Sequence, residues 1–164
     1  MRFKLFFIAI LLLPTALFAQ EADDDPVYVV DSVRVSSSAA NNFTPDQIGL
    51  ITIAKGRKAV LLYGNQAENG VVYIETKPFA RKRVDQLLRT SSPSYDSLRR
   101  VQPLDSNLVY IVNDKIVTPT DEARLFTVDR RTFQSLQILS SKELEDKYHL
   151  TGKKAGVAIL STED

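Results

Sequence analysis

The 164-residue chain has no cysteine, no tryptophan, one methionine and one histidine. Without cysteine there is no disulfide framework and no thiolate metal site. Stability must come from an apolar core. A single histidine, His149, excludes a two-histidine zinc motif. Also missing are a Gly-x-Ser-x-Gly elbow, a Ser-x-x-Lys pair, a phosphate loop and a Gly-x-Gly-x-x-Gly turn. No metal and no cofactor is expected, and the sequence argues against an enzyme. Two catalytic readings stay open: a hydrolase built from carboxylates, and a dyad of His149 with a serine. The simpler reading of His149 is a partly exposed polar residue after Tyr148.

An excess of charge of one sign is missing too. The chain carries 21 Lys+Arg against 20 Asp+Glu, so composition gives no reason to expect nucleic acid or an anionic membrane as partner. One acidic cluster, Glu21-Ala22-Asp23-Asp24-Asp25, lacks the ligand spacing and glycine turn of a calcium loop and reads as a solvated terminus. The basic cluster Arg81-Lys82-Arg83 reads as the wet face of a helix, with contact to an acidic partner or glycan as the other use.

Long apolar runs are scarce. Leu5 to Leu13 follows the positive Arg2 and Lys4, is broken by Pro14 and leads to the small residues Ala16 and Ala19. This is the pattern of a secretory signal peptide over residues 1–19, cleaved after Ala19, with Leu17 a poor −3 residue. The alternative, a membrane anchor, is disfavoured because the run is about half of the ~20 residues a spanning helix needs. No cysteine follows for lipidation. The expected location is the periplasm, with the cell surface or the medium as alternatives. Loss of Arg2 and Lys4 turns the net charge of the remaining chain to −1.

What is present is an internal repeat. Tyr63 to Lys77 reads YGNQAENGVVYIETK, and Tyr148 to Thr162 reads YHLTGKKAGVAILST. Upstream, Val27-Tyr28-Val29-Val30-Asp31 matches Val109-Tyr110-Ile111-Val112-Asn113, each followed by a second short apolar stretch that suggests a hairpin, Val33 to Val35 and Lys115 to Val117. Thr44-Pro45-Asp46-Gln47 has the signature of a helix start, and Thr127-Val128-Asp129 stands in its place in the second copy. Strands follow at Ile48 to Ile53 and Leu136 to Leu139. Short helical turns come next, Lys55 to Leu62 and Ser141 to Lys147, the latter capped by Ser141. Last strands run from Val71 to Thr76 and from Val157 to Thr162.

The expected fold is α+β: two similar β-β-α-β-α-β modules, residues 25–77 and 106–164, with roughly six strands and four short helices in all. Residues 78–105 form a helical connector, since Val84, Leu87 and Leu88 have the spacing of an amphipathic helix and Tyr95 to Val101 adds a further helical turn. Pairing Gly70 with Gly156 aligns Tyr73 with Ile159. Open sheet edges are expected, and an edge accepts a partner strand.

Several separated motifs of the first copy resemble the plug domain of TonB-dependent outer-membrane transporters, above all the large nutrient transporters of Bacteroidetes-type bacteria. They are Pro26 to Asp31, Pro45 to Ile48 with Ile51-Thr52-Ile53, Ala59 with Tyr63-Gly64, and Asn69 to Lys77. Ser32 stands where that family usually has glycine after the aspartate. Lys55-Gly56-Arg57-Lys58 replaces its small residues, and the second copy is more degenerate, with His149 in the place of Gly64. After residue 77 the remaining 87 residues are spent on the connector and the second copy, so no transporter barrel follows. The resemblance implies a tandem plug-like protein that binds an envelope protein or glycan, or an accessory part of a TonB-dependent uptake system. The binding candidates are Tyr63, Gly64, Asn65, Gln66, Asn69 and Gly70, as an exposed loop or as no more than the turn into the last strand. The first copy, which keeps its glycines and Asn69, is the expected binder.

Overall fold

The computed structural model describes residues 25–162. The export segment read in residues 1–19, and most of the acidic cluster after it, lie outside the described residues. Among the described residues no helix is long and apolar enough to cross a membrane.

The chain is mixed α+β. The first copy runs β1 (Val27–Val30), β2 (Val33–Val35), α1 (Ser37–Ala40), β3 (Ile48–Ala54), α2 (Arg57–Tyr63), a 3₁₀ turn (Asn65–Ala67) and β4 (Val71–Thr76). Two helices follow, α3 (Lys77–Ser91) and α4 (Pro93–Val101). The second copy runs β5 (Leu108–Val112), β6 (Lys115–Ile116), α5 (Ala123–Phe126), β7 (Phe133–Ser140), α6 (Ser141–Tyr148) and β8 (Ala155–Ser161). The described strands number eight, four per module as the β-β-α-β-α-β order requires; the rough count of six leaves out the short second strands of the two hairpins, β2 and β6.

They form two sheets of the same order, β2-β1-β4-β3 and β6-β5-β8-β7. In each, the first strand pairs parallel with the last and the remaining pairs are antiparallel. The likeness reaches single hydrogen bonds. The Asp31 N–H donates to Ile74 O and the Asn113 N–H to Ile159 O, both at 3.0 Å. The Thr76 N–H donates to Asp31 Oδ1 at 2.8 Å, and the Ser161 N–H to Asn113 Oδ1 at 2.9 Å. A register shift falls between Ile48 and Leu50 in β3 and between Phe133 and Ser135 in β7.

The register corrects one alignment. Ile51 faces Ile74 as Leu136 faces Ile159, and Thr52 faces Tyr73 as Gln137 faces Ala158. Tyr73 is therefore the counterpart of Ala158, not of Ile159, and Gly156 is the counterpart of Val71. The two glycines serve different needs. Gly70 sits at φ 99°, and an added Cβ would lie 3.0 Å from Ala54 O. Gly156 makes room for α6, since an added Cβ would lie 2.6 Å from Leu144 Cδ2. The counterpart of Leu144 on α2 is Ala59. The first copy thus packs a small helix residue on a large strand residue (Ala59 and Val71, both fully buried), and the second reverses the sizes.

Each hairpin turns through two residues at positive φ, Asp31 and Ser32 at 48° and 70°, Asn113 and Asp114 at 51° and 60°. A type I′ turn requires this. An L-residue in that region costs about 1–2 kcal/mol, and glycine returns about 0.5–1 kcal/mol of that as unfolded-chain entropy. Ser32→Gly is therefore expected to stabilise the protein by about 0.5–1 kcal/mol. A rise in urea midpoint checks this; a fall would mean that the serine hydroxyl has a role of its own.

The expected helix starts are displaced. Thr44 to Gln47 closes only a turn, with the Thr44 N–H donating to Gln47 Oε1 at 2.9 Å before β3 begins. The true helix lies one turn upstream, capped by Ser36, whose hydroxyl accepts from Ala39 N at 3.2 Å. In the second copy α5 likewise precedes Thr127. The cap of α6 is Ser140 rather than Ser141, in a capping box with Glu143.

The main core lies on one face of the second sheet. Ala80, Val84, Leu87 and Leu88 of α3 and Tyr95 of α4 pack with Val112, Val157 and Ile159. Prolines in the first turns and the hydroxyls of Thr76 and Ser92 start these two helices. α3 also ties the copies together. Gly49 of β3 lets Ala80 and Phe126 approach, an added Cβ lying 3.2 and 3.1 Å from them. Arg83 donates to Glu75 Oε2 and to the carbonyls of Val128 and Phe126 at 2.9, 3.0 and 2.6 Å. Of the Arg81-Lys82-Arg83 cluster, then, Arg81 and Lys82 lie on the expected wet face, Arg81 reaching Asp105 and Glu122 from there, and Arg83 is partly buried instead. Among the described residues the corresponding face of the first sheet carries no such helix pair, and Ile51 and Ile53 of the edge strand β3 stay 51% and 61% exposed.

Candidate functional site

The loop after α2 is held by its own backbone. The N–H groups of Gly64, Ala67, Glu68 and Gly70 donate to the carbonyls of Val60, Gly64, Asn65 and Ala67 at 2.8–3.0 Å. Gly64, at φ 74°, ends α2 and begins the 3₁₀ turn. Ala67 is fully buried beneath it. Tyr63 meets Tyr73 edge-on, with centroids 6.3 Å apart. A hydrogen bond with Tyr63, followed by burial, pushes the Tyr73 hydroxyl up to about 12.

This geometry splits the six candidate residues. Tyr63, Gly64 and Gly70 shape the loop. Asn65, Gln66 and Asn69 are exposed on it and line a cleft of about 660 Å³. The opposite wall comes from Tyr28, Arg34, Ser36 and Ser37. The Arg34 guanidinium donates across the cleft to Gln66 Oε1. Sequence reasoning missed this wall, although Arg34 between two valines is a strand residue facing away from its neighbours. The cleft is rich in amide, hydroxyl and guanidinium groups beside a tyrosine ring, a set suited to a ligand with many hydroxyl or amide groups.

The second copy holds a cleft of about 570 Å³ at the same place. Tyr110 replaces Tyr28, Ile116 replaces Arg34, Thr118 and Pro119 replace the two serines, and Leu150 replaces Asn65. The connector helices close one side with a polar network. Tyr95, fully buried, donates its hydroxyl to Asp85 Oδ1 at 2.8 Å and meets Tyr110 Oη at 3.0 Å. Arg99 donates to Asp85 Oδ1 at 2.9 Å and to Asp105 Oδ1 at 2.7 Å, and Arg89 donates to Asp85 Oδ2 at 2.7 Å. Burial raises the affinity of Asp85 for a proton, but the hydrogen bonds from Arg89 and Tyr95 and the charge of Arg99 outweigh it, so its pKa lies below the usual carboxylate value. Burial pushes both tyrosine hydroxyls up. Three acids, Asp85, Asp105 and Glu122, thus share a concave site, each ion-paired with arginine.

His149 caps α6 in a left-handed conformation, φ 56°, and is exposed. Among the described residues no group of three or more His, Cys, Asp or Glu side chains is placed to hold a metal ion. In comparison with known proteins, the chain matches no family model, and no curated protein and no solved structure is significantly similar to it.

Proposed function

We propose that the protein is an exported, non-enzymatic binding protein built of two plug-like modules, which captures a polar ligand of the cell envelope in the cleft of its first module. Residues 1–19 direct export in this reading, and the periplasm is the site of action. The observation that carries it is the polar cleft of about 660 Å³, where the Asn65 and Gln66 amides face Arg34 and two serines. Its volume lies within the ~300–1,000 Å³ of ligand sites. A glycan or a polar segment of an envelope protein offers the matching hydroxyl and amide groups.

Affinity capture from the host envelope, followed by glycan and protein identification, tests the reading. The wild type is expected to enrich a ligand that an Asn65→Ala/Gln66→Ala variant binds about tenfold more weakly, since each lost hydrogen bond contributes roughly 0.5–1.5 kcal/mol. Equal enrichment by both proteins would remove the cleft from the function.

A further inference from the structure

The two clefts occupy one position in a duplicated unit, yet their chemistry has diverged. Where the first is lined by Arg34 and Asn65, the second presents Ile116 and Leu150, with Val117, Leu108 and Leu125 around them. Its acids are already matched. Asp85 is held by Arg89 and Arg99, Asp105 by Arg81 and Arg99, and Glu122 by Arg81. Its lysines are not. Among the described residues Lys153 donates only to the Ser106 carbonyl, at 2.8 Å. Lys82 is exposed, and among the described residues neither lysine has a carboxylate within ion-pair distance. The cleft therefore combines an apolar floor with uncompensated positive charge.

We propose that this second-module cleft is a separate binding site for a small aliphatic carboxylate. The hydrocarbon chain lies on Ile116, Val117 and Leu150, out of water. The carboxylate is held by Lys153, and Lys82 lines the same cleft and adds to the positive field. A volume of about 570 Å³ accommodates a chain of roughly ten carbons. The polar network under α3 and α4 keeps that wall rigid, because every charged group in it already has a partner. This site is independent of the polar cleft of the first module.

Titration calorimetry of the full chain with decanoate tests the proposal, with decanol as the neutral control. The expected result is saturable binding of one decanoate per chain and binding of decanol at least tenfold weaker. Ile116→Arg/Leu150→Asn installs the residues that the first module carries at these positions, and is expected to abolish binding. Lys153→Ala, a substitution at a half-exposed side chain outside the core clusters, is expected to weaken decanoate about tenfold and leave decanol unchanged. It decides the matter should the double variant not fold. Absence of saturable binding, equal affinity for decanoate and decanol, or unchanged affinity in Lys153→Ala would overturn the proposal.

Discussion

Gly156→Val is expected to lower stability by about 3 kcal/mol, the upper part of the usual overpacking range, and Leu144→Ala introduced into the same chain to restore most of it. An added Cβ at Gly156 meets Leu144 Cδ2 at 2.6 Å and Leu139 Cβ at 3.2 Å, and the two branch carbons of valine crowd the same space. Leu144 cannot yield easily. It is fully buried on α6 in a cluster with Val109, Ile111 and Leu139. Relief therefore requires that α6 lift from the sheet. Leu144→Ala alone is also destabilising, by roughly 2–5 kcal/mol, because it leaves a cavity. Together the two changes recreate the pair found at Ala59 and Val71, which packs with both residues fully buried. The double variant should lie within about 1.5 kcal/mol of wild type, far from the sum of the single effects. Urea unfolding of the four proteins measures this coupling. Additive losses would show that the sheets do not pack their helices in equivalent ways.

That pair also explains where the sequence could mislead. The hairpins, the strand Val71–Thr76 and the connector stripe of Val84, Leu87 and Leu88 were legible because each is set by local pattern. Strand register was not. Two glycines invite alignment with each other, yet Gly70 answers a backbone need and Gly156 a packing need one position further on. The distinction depends on a leucine across a helix, which no local pattern reveals. The Thr44-Pro45-Asp46-Gln47 signal was real but short-lived, since the strand residues from Ile48 onward end the turn it starts. A run of serines and alanines, Ser36 to Ala40, held the helix instead.

The candidate site was half legible for a related reason. Its loop is contiguous, so Asn65, Gln66 and Asn69 announce themselves beside two glycines. Tyr28 and Arg34 join them only because β1 pairs in parallel with β4, a long-range choice that puts the start of one hairpin beside the entry to the last strand. In the second copy the ionic network draws Asp85, Arg99 and Asp105 from α3, α4 and the 3₁₀ turn before β5. Spacing within any one of these segments shows a charged helix face and nothing more.

Asp85 is the residue on which that network turns, and Asp85→Asn is expected to destabilise the protein by roughly 2–3 kcal/mol at neutral pH. A fully buried pair that loses a partner costs about 3–5 kcal/mol; the 29% exposure of the Asp85 side chain lowers the figure. The carboxylate accepts from Arg89, Arg99 and Tyr95 at once. An amide has one acceptor oxygen, so its NH₂ group must face a guanidinium or the tyrosine hydroxyl. Arg99, only 10% exposed, retains Asp105 as its sole carboxylate among the described residues. The effect should depend on pH in a defined sense. The folded pKa of Asp85 is lowered, so its contribution is complete well above the ordinary value of 3.8 and is lost as pH falls through that value toward the folded pKa. The gap between wild type and Asp85→Asn should therefore be constant from pH 7 to about 5 and narrow below about 4. Asp46, Asp114, Asp129 and Glu143, whose pKa values are also lowered, touch no member of this network and cancel in the difference, whereas Asp96 shares Arg89 with Asp85 and keeps that partner in the variant. Urea unfolding at pH 7, 5, 4 and 3 reads the gap directly. A gap that stays constant to pH 3 would mean that the network stabilises the fold by shape and not by the charge of Asp85.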